Sequence, residues 1–117
     1  MQDFTKLEIY QEAQTLALDI YTITKKFPGD ERFGMVQQLK RASTSIGANI
    51  SEGAGRSSNK DFSRFLFNSV GSLNELLHFL MLAHKLKYIT TGEWVMISEK
   101  SDKLGRKINK FLQSLSR

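Results

Sequence analysis

Cysteine is absent from this chain, histidine occurs twice and proline once. Without thiols there is no disulfide scaffold, no thiolate metal site and no cysteine nucleophile, and the composition suits a reducing, cytoplasmic setting. His78 and His84 stand six residues apart and face different directions, which reads as an interface or surface histidine each, not a metal or general-base pair. Long hydrophobic runs are missing too. The most apolar stretch, Leu76 to Leu86, is interrupted by both histidines and is too short to cross a bilayer, so no membrane contact is expected. The opening MQDFTKLEIYQEA lacks the basic-then-apolar pattern of a secretory signal.

Patterns that carry chemistry are equally scarce. The Glu-x-x-His spacing of Glu75 and His78 occurs once, whereas a di-iron bundle needs it twice with two further glutamates. GAG at Gly53–Gly55 follows no strand and has no third glycine in register, so it marks a helix end and turn, not a dinucleotide site. The serines have no base in view. No enzyme activity, cofactor or metal is therefore expected.

What is present is helical periodicity. The 117 residues read as one domain over 1–117, with 40% hydrophobic and 25% charged residues as in ordinary globular proteins. Thr5 and Glu8 fit a capping box at the start of a first helix, whose inward stripe is Ile9, Ala13, Leu16, Ile20, Ile23 and Phe27. Lys25 and Lys26 suit its negative end, and Pro28-Gly29 stops it. A second helix is expected from Glu31 or Phe33 to the Gly53–Gly55 region. It is rich in small residues, with Gly47 alone costing about 1 kcal/mol relative to alanine; small side chains there favour close helix approach. A third opens at Ser58, with Asp61 at capping-box spacing. A fourth opens at Thr90 and Glu93, with a core stripe of Trp94, Ile97, Ser101, Leu104, Ile108, Phe111 and Leu115. Four helices on short connections predict an all-α, antiparallel up-down four-helix bundle.

The stretch from Arg41 to Glu75 organises the rest. Arg41, Ser45, Asn49, Glu52 and Arg56 share one face of the second helix, beside an apolar stripe of Leu39, Ala42, Ile46, Ile50 and Gly53. Folding the chain about residue 58 sets Arg41 level with Glu75 and Glu52 level with Arg64. That register gives each charge a partner, and these residues read as a structural polar network fixing the hairpin. On the third helix, Phe62, Leu66, Ser69, Leu73, Leu76, Leu80 and Ala83 form one seam. A second seam, Phe67, Val70, Leu77, Met81 and Tyr88 with Asn74 and His84, lies about 100° away. One small subunit cannot easily cover both, so the second is expected to contact another subunit in a homo-oligomer. Phe62, Phe65 and Phe67 read as core or interface residues rather than a stacking platform, and Trp94 as a packing residue.

The formal net charge is +5 and is unevenly placed. Residues 85–117 carry eight cations against three acids, whereas residues 1–84 balance. Lys100, Lys103, Lys107 and Lys110, with Arg106 beside them, form a basic stripe next to the core face of the last helix. Two readings stand. The stripe is a solvated, solubilising face, or it binds nucleic-acid phosphates, RNA or DNA, in a sequence-tolerant and salt-dependent way. A scaffold whose surface meets an acidic protein partner is the rival from another class.

RAxxSIxxNIxEGxGR from Arg41, followed by FxRFLxxxxGSLNEL, resembles the small bacterial four-helix-bundle proteins encoded within intervening sequences of 23S rRNA genes. The likeness continues in DFxKLEIYQEA, in Phe27-Pro28 and in ERFGMVQQLKRA, covering roughly the first 90 residues. Gly47 stands where relatives often have proline and Ser51 where they usually have alanine. The resemblance implies a ring-shaped homopentamer and a link to ribosomal RNA genes. The chain is also similar to accessory proteins of diversity-generating retroelements, basic pentameric bundles that engage nucleic acid and a reverse transcriptase. It implies no role for any single residue.

Overall fold

Helix ends are set by the side chains that reach their free backbone groups. The computed structural model describes residues 3–116, and its four long elements are α1 (Glu8–Ile23), α2 (Met35–Ala54), α3 (Asn59–Lys85) and α4 (Thr91–Leu115). Thr90 caps α4 by accepting the Glu93 amide at 3.1 Å, while the Glu93 carboxylate accepts the Thr90 amide at 2.8 Å, a complete capping box. Ser58 caps α3 through the Asp61 amide at 3.1 Å.

Two expected boundaries move. Thr5 does not cap α1. The Asp3 carboxylate takes both the Thr5 amide, at 3.0 Å, and its hydroxyl, at 2.6 Å, so Phe4–Lys6 closes into a separate 3-10 turn and α1 starts at Glu8. Likewise α2 begins at Met35, because Gly29–Glu31 forms its own 3-10 turn after Pro28. α3 ends in a tight αL turn: Lys87 takes a positive φ of 65° while Tyr88 donates its amide to Ala83 at 2.9 Å. Lysine there forgoes the ease glycine would have.

The four inward stripes meet in one core. Leu16, Ile20, Leu39, Ile46, Ile50, Leu66, Leu76, Leu80, Ile97, Leu104 and Ile108 are fully buried. Each contributes about 1.5–3 kcal/mol over an exposed side chain. The α1, α2 and α3 stripes are buried as their periodicity predicts, while Trp94, Phe111 and Leu115 at the ends of the α4 stripe are half-buried. Contacts fix an up-down, antiparallel order. Phe62 meets Phe111 at one end of the bundle, with ring centroids 5.4 Å apart, and His84 stacks on Trp94 at 5.8 Å at the other. The starts of α1 and α3 therefore share one end of the bundle with the ends of α2 and α4. Among the described residues there is no strand. α3 is long and apolar enough by composition to cross a membrane, but its apolar stripe is the centre of this core.

The seam between α2 and α3 is close. A Cβ added at Gly53 would lie 2.8 Å from Phe65 Cβ and 2.9 Å from Phe62 Cδ1, so only glycine fits. The buried Ser69 hydroxyl donates to the Ile46 carbonyl at 2.9 Å, and Ser45 and Ser72 share a hydrogen bond of 2.9 Å. The small residues of α2 do what their poor helix propensity suggests: they let α3 approach.

Candidate nucleic-acid interface

The basic stripe of α4 sits beside α1, and the neighbour answers much of its charge. Lys100 pairs with Asp19 at 2.8 Å, and Lys107 bridges Glu8 and Glu12. Arg106 pairs along its own helix with Asp102 at 3.1 Å. Of the five cations expected to meet phosphates, Lys100, Arg106 and Lys107 hold carboxylates, and Lys103 and Lys110 alone form no ion pair among the described residues. Hydrogen bonding and attraction from Lys107 hold the Glu8 carboxyl below its ordinary value, and Glu12 with Glu8 raises Lys107. Such a lysine stays protonated and occupied.

Sequence reasoning missed a further cation. Lys6 lies with Lys107, Lys110, Phe111 and Ser114 around an open groove of about 460 Å³ between the start of α1 and the end of α4. The signal was the topology itself, which brings the first and last turns together. Lys6 also forms no ion pair among the described residues.

The hairpin network is half formed. Arg41 reaches Glu75 at 3.0 Å, as their shared level requires. Yet the two side chains keep 68% and 40% of their exposure, so the pair lies in solvent and is not a buried register lock. Glu52 and Arg64 do not pair. Glu52 takes Arg56 at 3.2 Å, one turn on, and Arg64 leans on Asp61 at 3.7 Å. Being level does not fix rotation, and a partner one turn away costs less chain entropy than one across the seam. Arg56 and Arg64 each sit instead over the Phe65 ring, at 4.6 and 4.7 Å from its centroid. Asn49 donates to the Ser45 carbonyl at 2.9 Å and joins the serine ladder between the helices.

The second seam of α3 divides. Val70 and Leu77 are half-buried, and Val70 packs against the chain's own core. Tyr88 is taken inside the subunit: it packs on Phe27 at 5.3 Å and donates its hydroxyl to Glu31 at 2.9 Å, which raises its pKa. The αL turn at Lys87 swings it back over the segment between α1 and α2. Phe67 and Met81 stand open, 63% and 49% exposed.

Comparison with known proteins supplies the family. A family model described as 23S rRNA-intervening sequence protein matches residues 5–110. The chain belongs to this family. A crystal structure of a protein of unknown function from the S23 ribosomal protein family of Bacteroides thetaiotaomicron is similar to it, with a TM-score of 0.82 at 27% identity over 89% of this chain and 97% of that one. No curated protein matches. The match of the 23S rRNA-intervening sequence protein model takes in every α4 cation discussed above, and neither description names an enzymatic activity.

Proposed function

We propose that this member of the 23S rRNA-intervening sequence protein family is a non-enzymatic nucleic-acid-binding accessory protein that works as a homo-oligomer, with the pentamer implied by its resemblance. The observation that carries the reading is the pair Lys103 and Lys110: two exposed ammonium groups seven residues apart on one outer face of α4, unpaired among the described residues, with Lys6 beyond them. Their spacing spans two helical turns, about 10 Å, so the two cations reach separate phosphates of a backbone rather than a single small anion. Contacts of this kind are sequence-tolerant, and repetition around an oligomer multiplies a weak patch. Met81 and Leu77 supply the subunit contact.

Fluorescence anisotropy with labelled structured RNA, single-stranded RNA and duplex DNA across a salt series tests this. Binding should fall steeply with salt, and the Lys103→Glu, Lys110→Glu double variant should lose it while keeping its helicity. Absence of binding at low salt, together with recovery of one acidic protein after nuclease treatment, would instead establish the scaffold.

A further inference from the structure

Beyond the α4 face, the same end of the bundle holds a second, open groove of about 820 Å³ between the start of α3 and the end of α4. That volume lies in the range of small-molecule sites. Its floor is apolar, made by Phe67, Leu112 and Leu115. Lys60 and Arg64 stand on its rim, with Asn68 as a neutral polar group. Lys60, Arg64 and Phe67 recur at spacings of four and three, so one exposed face of α3 presents cation, cation and aromatic ring in turn. The Asn59 side-chain amide donates to the Leu115 carbonyl at 3.3 Å and ties the last turn of α4 to the first of α3.

We infer that this groove binds one nucleotide of a single-stranded nucleic acid, its base stacked on Phe67 and its phosphates on Lys60 and Arg64. Three observations converge. Phe67 is the aromatic of α3 left 63% exposed, while Phe62 and Phe65 are buried. An open aromatic ring flanked by cations is the recurring platform for unpaired bases, since every base offers a π-face. Charge complementarity selects an anion: Lys60 forms no ion pair among the described residues, and Arg64 meets only Asp61, itself on the rim, at a loose 3.7 Å. The guanidinium of Arg64 already sits over the Phe65 ring, 4.7 Å from its centroid, which pre-positions it beside the groove. The inference rests on the nucleic-acid reading above and adds a preference within it: unpaired bases over duplex.

The test uses the full chain and a short single-stranded RNA carrying a fluorescent adenine analogue, beside the same strand with an abasic site there. Binding should quench the analogue. Phe67→Ala should weaken the base-bearing strand roughly tenfold, leave the abasic strand unchanged, and Phe67→Tyr should restore affinity. Lys60→Gln with Arg64→Gln should weaken both strands. Equal affinity of parent and Phe67→Ala for the base-bearing strand would overturn the site while leaving the Lys103 and Lys110 contacts standing. A fall in assembly mass for Phe67→Ala by sedimentation would also overturn it, assigning Phe67 to a contact with a second copy. A parent that binds no oligonucleotide at low salt defeats both readings.

Discussion

At Gly53, α3 runs so near α2 that an added methyl group would sit 2.8 Å from Phe65 Cβ, whereas α1 and α4 are joined along their rim by long lysines reaching to Asp19, Glu8 and Glu12. The first seam depends on shape, because small residues and serine hydroxyls bring two backbones together. The second depends on charge, because flexible side chains span a wider gap above the shared core. A shape-made seam ignores salt and pH and fails when atoms are added. A charge-made seam tolerates a change of volume and responds to the solution.

The sharpest break falls on the shape side. Gly53→Ala should lower stability by about 2 kcal/mol or more through overpacking, although alanine gains about 1 kcal/mol in helix propensity. Denaturant unfolding showing an equal or more stable variant would disprove the close approach. Serines sharpen the contrast next. Ser69→Ala removes a buried bond to Ile46 and should cost about 1 kcal/mol. Ser101→Ala removes a buried hydroxyl that has no hydrogen-bond partner among the described residues and should raise stability by about 1 kcal/mol. Opposite signs for one substitution in two core positions are the expected outcome, read from thermal midpoints.

On the charge side the probe is Lys107→Gln. Lys107 lowers the folded pKa of Glu8, so that stabilisation is complete above the ordinary glutamate value and is lost as pH falls through the lowered one. The raised Lys107 pKa acts at the other end, with its contribution present below the ordinary lysine value and lost as pH climbs past the raised one. The variant should show a smaller drop in melting temperature between neutral and acid pH, and less sensitivity to salt. An unchanged acid profile would remove the pairs from the account. The smallest effect belongs to Arg41 and Glu75. Reversing Arg41→Glu should cost only a few tenths of a kcal/mol, with the double reversal recovering part of it, because the pair is exposed.

The same division explains what could be read in advance. Helices, their inner stripes and the Thr90 capping box are local patterns, and Ile46, Ile50, Leu73 and Leu76 are buried as their spacing requires. Charge partners are not local. Lys100 and Asp19 are 81 residues apart, and Lys107 and Glu8 are 99 apart. Only the closing of α4 onto α1 gives the stripe its acids, and the usable sign was the shared face of Glu8, Glu12 and Asp19. The Glu52 and Arg64 pairing was level but lost to nearer partners. Phe67 reads as a core or interface residue by type, and its exposure depends on how far α4 covers α3.

The short turn between α2 and α3 also bears on how the bundle is built in time. Only four residues, 55–58, separate the two helices, so their seam closes a small loop at little entropic cost and is expected to form early. The acids and lysines of α1 and α4 must wait until nearly the whole chain has been gathered. Free energy lost at Gly53 should then appear as slower folding, and free energy lost at Lys107 as faster unfolding.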